Sequence, residues 1–417
     1  MTRLVPIVCG QVFTLVVGVL GLKLVSQFLS PEIFGTYALL LTLTGLGMQF
    51  THAGLYNHAI RCWQREAAVN RAAYLGFLWR EHWRATGPLV WLVTGVGVGV
   101  GLWQGEAFWL WSVSVLVLAN VAQTSSGLAQ GVLNAAERHW AVFGVTGSAL
   151  ATRTLLPLAA VAWLGPSLPV LMSGLGASAM TVTCLLLALA GPAGRRRDAD
   201  AVAQARWTDE LRGYTQPYFW LGVGGWLLQS ADRWLVFAFF DDRRTGLFAL
   251  ASSLGGIIPA MLAGTMLQIS FPRVFRLADE AVVSGDWTTV ARHCDRLTAV
   301  YLTAAVAGLL GLAGLGPHLV GWLVDARFAP ALPLVLAAGM ATVSVQVNQF
   351  YYLLLQGQQR GTKMVSVMSA VAGVKTLGSA LAAWVSWECF LGWQCVSVGV
   401  SALLGRQLIR RAALGDA

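Results

Sequence analysis

The sequence predicts an all-α integral membrane protein: about twelve transmembrane helices in two pseudo-symmetric halves of six. Three observations carry this. The 417 residues are 56% hydrophobic and only 11% charged, with a mean hydropathy of +0.64. A soluble chain of this size would need far more charge to cover its surface. Apolar runs long enough to span a bilayer, roughly 20 residues each, recur along the whole chain. Finally, landmarks in the first half return at matching intervals in the second.

The apolar runs fall at 5–29, 33–56, 86–105, 107–130, 141–164, 169–190, 217–240, 245–270, 297–316, 330–355, 363–386 and 388–407. The first run is too long for a signal peptide and lacks a small-residue cleavage pattern, so it is read as a spanning helix. The 46 glycines suit membrane helices, where small residues allow close backbone approach. If the N-terminus is cytoplasmic and the spans alternate, 21 of the 28 basic residues lie on the inner side and only Arg243, Arg244 and Arg327 on the outer. This bias places both termini in the cytoplasm. The pI of 9.6 then reflects rims facing an anionic leaflet, with no nucleic-acid partner required.

The polar stretch 191–213, GPAGRRRDADAVAQARWTDELRG, divides the chain into a lobe 1–190, a cytoplasmic linker and a lobe 214–417. GTYAL at 35–39 pairs with GLFAL at 246–250. Lys23 precedes Gly35 by twelve residues, and Arg233 precedes Gly246 by thirteen. Arg61 follows the first glycine by 26 residues and Arg273 the second by 27. Arg138 leads Arg153 by fifteen residues, as Arg360 leads Lys375. An even number of spans per half gives the halves the same orientation, as in parallel-repeat transporters.

Four cations fall inside spans, Lys23, Arg153, Arg233 and Lys375, against one acid, Asp232. A charge at a helix centre costs about 2.5–3.5 kcal/mol, so it persists where water, a partner or a ligand meets it. Lys23 and Arg233 lie near outer ends and have an alternative: snorkelling to headgroups. Arg153 and Lys375 are too deep for that and are expected to face a cavity. Net positive charge there attracts anions, and an Arg fork suits phosphate. Polar side chains at similar depth (Asn120, Gln123, Gln229, Gln346, Asn348, Gln349) either line the cavity or bridge helices.

Segments 66–84 and 277–296 mix charge with apolar residues, as interfacial amphipathic helices do. The six cysteines form no CxxC, so neither a disulfide framework nor a zinc site is indicated. His58 and Cys62 are four apart with His52 nearby, but a third ligand at suitable spacing is missing, so no metal site is expected.

LSPEIFGTYALL (29–40), SADRWLVFAFF (230–240) with TGLFAL (245–250), and LLQGQQRGT (354–362) resemble bacterial polysaccharide and O-antigen flippases. These are the Wzx-type exporters of the multidrug/oligosaccharidyl-lipid/polysaccharide (MOP) superfamily. The resemblance spans the chain and implies a MATE-like two-lobe architecture in the bacterial inner membrane. It implies, as substrate, an oligosaccharide on a polyprenyl pyrophosphate, moved to the outer leaflet by alternating access for surface polysaccharide or exopolysaccharide biosynthesis. Polysaccharide polymerase and glycosyltransferases would be partners. Lys23, Arg153, Arg233 and Lys375 would contact the headgroup, Arg61 and Arg273 would capture it from the cytoplasm, and Asp232 would respond to a coupling proton or sodium ion. No other cofactor and no catalysis are expected. Lys23 and Lys375 stand where arginine would give bidentate phosphate binding.

Two other functions stay open. A multidrug cation antiporter would need buried carboxylates, and the first six spans have none. A membrane polysaccharide polymerase or ligase would need a large outer loop, yet the longest, near 317–329, is short.

Overall fold

The computed structural model describes residues 4–51, 53–63, 66, 70–104, 107–190, 201–358 and 360–414. Among these there is no β-strand, and thirteen α-helices follow one another: α1 (Leu4–Phe28), α2 (Pro31–Thr51), α3 (Ala53–Trp63), α4 (Arg71–Gln104), α5 (Ala107–Ala135), α6 (His139–Leu164), α7 (Leu168–Ala190), α8 (Ala201–Phe239), α9 (Asp242–Ser284), α10 (Thr288–Leu323), α11 (Leu334–Gly357), α12 (Gly361–Val385) and α13 (Trp387–Leu414). Only helices satisfy every backbone polar group within one segment, which lipid demands. Each of the twelve apolar runs falls mainly on these helices, the second shared by α2 and α3 and the tenth beginning in the 3-10 turn Ala326–Ala331 before α11. The protein is a multi-pass membrane protein. Among the described residues, eight helices are long and apolar enough to cross a membrane by themselves. α8 falls short because Asp232 and Arg233 interrupt it. α11 falls short because it carries Gln346, Asn348 and Gln349; it is also mostly buried in protein.

Two compact units form. The first comprises 1–17 and 40–222, the second 18–39 and 223–417. The chain passes between them inside α1, α2 and α8, so their limits differ from a division at the polar stretch 191–213. Residues 201–213 of that stretch open the 39-residue α8. They are held by Trp207, fully buried against Tyr74 and Phe77 with ring centroids 5.1 and 5.5 Å away. Segment 71–84 is likewise not a separate interfacial helix. It begins α4, and its apolar face, Tyr74, Phe77 and Leu78, is buried within protein beside Leu55, Ala59, Leu128 and Trp207. Segment 277–296 is broken at Gly285, whose left-handed φ of 76° closes α9.

The repeat is visible in each unit's internal packing. In the first, α5 packs on α4, α6, α7 and α3, and α6 packs on α7. In the second, α11 packs on α10, α12, α13 and α9, and α12 packs on α13. Backbone detail agrees. The Arg138 N–H donates to Leu133 O at 2.9 Å, and Val142 to Arg138 O at 3.0 Å. The Arg360 N–H donates to Leu355 O at 3.0 Å, and Met364 to Arg360 O at 3.1 Å. Both arginines precede their helices with nearly the same dihedrals, φ −87° and ψ 63° against φ −91° and ψ 61°.

Within the second unit, the starts of α2 and α9 meet at the equivalent glycines. Ser30 Oγ and Asp241 Oδ1 cap them, accepting from Ile33 N at 3.4 Å and Arg244 N at 2.6 Å. A Cβ on Gly35 would lie 2.8 Å from Gly246 N, and one on Gly246 would overlap the Pro31 carbonyl. Nearby, Arg327 donates to Gln27 O at 2.7 Å and Ser26 O at 3.2 Å, closing the carbonyl end of α1. Hydrogen bonds from Arg327 also hold the Asp325 carboxyl below its usual range. G246L is expected to destabilise the protein by about 1–3 kcal/mol, because backbone must move. G95L, where nothing lies within 4 Å, should change stability by less than ~0.5 kcal/mol. Thermal unfolding in detergent compares the two.

Candidate functional site

The deep cations at equivalent positions, Arg153 on α6 and Lys375 on α12, have different surroundings. Arg153 lines a cavity of about 260 Å³ inside the first unit, bounded by α2, α5, α6 and α7. Leu41, Thr44, Gln123, Gln130 and Ser178 share its wall. Among the described residues, no Asp or Glu pairs with Arg153. The rest of the wall is mostly apolar, and a guanidinium facing such a space with no acid to neutralise it is suited to an anion. Gln123 faces this space as expected from sequence, whereas Asn120 does not. Its amide donates to Thr44 O at 2.9 Å and ties α5 to α2.

Lys375 differs. Its Nζ lies 2.5 Å from Asp232 Oδ2 and 3.2 Å from Leu228 O, and the side chain is 2% exposed. Trp393 Nε1 donates to Lys375 O at 3.1 Å, and Gln394 reaches Ser379 at 3.3 Å. The expected surplus of three positive charges is therefore distributed differently. Lys375 and Asp232 neutralise each other in the second unit, while among the described residues Arg153 in the first unit and Arg233 in the second make no ion pair. Asp232 Oδ1 has no hydrogen-bond partner among the described residues. The glycine-to-glycine correspondence puts Asp232 opposite Gly21, so the first half has no acid there.

The other expected site residues are dispersed. Lys23 and Arg233 are half-buried on α1 and α8. Arg233 makes no ion pair among the described residues, as the 100° step from Asp232 along a helix requires. Arg273 is exposed on α9. The Arg61 side chain and His52 lie outside the described residues. Gln229 is exposed, and the Asn348 amide donates to Ser344 O of its own helix at 3.4 Å.

No protein-family profile matches the sequence, and no curated protein does. Solved structures do. An inward-facing multidrug resistance MATE family transporter of the MOP superfamily is 11% identical, with a TM-score of 0.69 over 98% of this chain and 96% of that one. The lipid II flippase MurJ in an inward closed conformation is 9% identical, with a TM-score of 0.68 over 97% and 86%. An outward-facing MATE transporter of the same superfamily is 12% identical, with a TM-score of 0.61 over 100% and 97%. The chain has the MATE-like fold. At these identities the MATE-like relatives share its backbone plan, and its chemistry has to be read from its own residues.

The Lys375–Asp232 pair makes a sharp prediction. Removing one partner strands the other charge in apolar surroundings, so K375A and D232A should each lose about 3–5 kcal/mol of stability. The double variant D232L/K375M, apolar at both positions, should recover most of it. Detergent unfolding of the three proteins tests this coupling.

Proposed function

We propose that the protein is a flippase that moves a polyprenyl-pyrophosphate-linked oligosaccharide across the membrane by alternating access, for surface polysaccharide biosynthesis. The observation that carries this reading is Arg153: a deep guanidinium with no acidic partner among the described residues, lining a cavity whose mostly apolar wall also carries Thr44, Gln123, Gln130 and Ser178. A pyrophosphate offers the oxygens its fork can bind in pairs, and the lipid tail would stay in the bilayer while the headgroup crosses. The fold shared with a lipid II flippase supports the reading. In this scheme Lys23 and Arg233 assist at the outer ends of their spans, Arg61 and Arg273 supply cytoplasmic capture, and both termini face the cytoplasm of a bacterial inner membrane. Lys375 contacts the headgroup only when released from Asp232. That release would give a coupling proton or sodium ion a place to act.

Multidrug MATE transporters among the structural neighbours favour a second reading, cation antiport. Against it, the one acid found within the spans is already bonded to Lys375.

R153A should abolish export while the protein remains in the membrane, and R153K should retain part of it, since one charge survives without the bidentate fork. In a deletion strain carrying each variant, lipid-linked repeat units should accumulate on the inner leaflet. Normal surface polysaccharide in the R153A strain removes Arg153 from the mechanism. Dye resistance on overexpression, with polysaccharide unaffected, selects the antiporter.

A further inference from the structure

At the start of the first unit's α8, three side chains with metal-ligating atoms converge away from the Arg153 cavity. His58 and Cys62 stand one turn apart on α3, so they project from the same face. Glu210 reaches them from α8. Cys62 Sγ is 3.2 Å from Glu210 Oε2, and His58 Nε2 is 3.8 Å from the same oxygen. All three ligand atoms lie within 4.8 Å of one another. Ligands at zinc bond lengths of about 2.0–2.3 Å in a tetrahedron are spaced by roughly 3.3–3.8 Å. The two observed distances bracket that edge length.

The geometry assigns His58, Cys62 and Glu210 as a site for one zinc-type divalent metal ion, binding α3 to α8. Four features support it beyond proximity. The first is the orientation of the imidazole. His58 Nδ1 lies 2.9 Å from the Tyr74 hydroxyl, which leaves Nε2 directed at Glu210, the arrangement by which outer hydrogen bonds orient metal-bound histidines. The second is charge. A thiolate and a carboxylate together neutralise a divalent ion, so the occupied site brings no net charge into the aromatic and aliphatic cluster of Tyr74, Phe77, Leu128 and Trp207. The third is the carboxylate. Among the described residues Glu210 pairs with no Arg or Lys, while neighbouring Glu66 is engaged by Arg206 and Trp207 Nε1. The fourth is access. His58 and Cys62 are buried, but the Glu210 side chain is 37% exposed, giving the ion a way in and a water the fourth position. A thiolate, an imidazole and a carboxylate favour zinc-type ions over magnesium or calcium.

Binding is proton-balanced. The Cys62 thiol gives its proton to solvent as the S–metal bond forms, and His58 Nε2 and a Glu210 carboxylate oxygen each donate a lone pair to the ion. One proton is released per ion.

The full-length protein in detergent, stripped with chelator and titrated with Co²⁺, is the probe. The expected result is one ion per chain, with a thiolate-to-cobalt charge-transfer band and tetrahedral visible bands, all displaced by Zn²⁺. C62S should lose the charge-transfer band. E210Q should weaken binding at least tenfold. C294S, at a buried cysteine of the second unit, should keep both band and affinity. Zn²⁺ should also raise the unfolding temperature of the wild type and of C294S but not of C62S. Wild-type protein that binds no Co²⁺, or a charge-transfer band that survives in C62S, overturns the site. Neither result bears on export, which the Arg153 variants test separately.

Discussion

A charge carried into a bilayer must be met there, by an opposite charge, by water or by a passing ligand, because hydrocarbon meets none. That constraint governs where this chain places its few ionised groups at depth. In the second unit it is met by protein: Lys375 and Asp232 form a contact ion pair between α12 and α8, with a backbone carbonyl as a third partner. In the first unit, space meets it. Arg153 borders a cavity bounded by Thr44, Gln123, Gln130 and Ser178. The same physical demand, at positions related by the internal repeat, has two solutions in one polypeptide.

The backbone of the two halves is therefore more alike than the side chains set on it. The turn ahead of α6 and the turn ahead of α12 share hydrogen bonds at a fixed separation of 222 residues, Leu133 with Arg138 and Leu355 with Arg360. Fifteen residues beyond each arginine, a cation is retained, but the helix facing it supplies an acid only in the second half. An apolar pair at these positions would serve stability nearly as well, so folding alone does not require the ions.

Much of this plan is legible in the sequence because it is local. Apolar runs give the helices, and the intervals Gly35–Arg61, Gly246–Arg273, Arg138–Arg153 and Arg360–Lys375 give the repeat. What escaped depends on pairing between distant helices. Asp232 and Lys375 are 143 residues apart, and periodicity along one helix says nothing about its neighbour. Glu210 is 148 residues from Cys62, so the pair His58 and Cys62 looks one ligand short when read along the chain. Segment 191–213 looks like a linker because its composition is polar, yet a single tryptophan within it, Trp207, is fully buried. A lone large aromatic in a charged stretch was the available signal: burying such a ring outweighs the polarity around it.

α8 brings these threads together. Its first part holds Arg206 and Trp207 on Glu66, and Glu210 beside His58 and Cys62, all within the first unit. Its last part holds Asp232 on Lys375, within the second. Between them, a Cβ on Gly222 would strike Gln49 of the first unit, and one on Gly224 would lie 2.7 Å from Met368 of the second. The helix thus changes its packing partners over two residues, at glycines whose missing side chains permit close contact on each side. α8 runs for 39 residues with Pro217 inside it, about 58 Å at 1.5 Å per residue. One helix therefore contributes Glu210 to the polar cluster of the first unit near its start and Asp232 to the ion pair of the second near its end.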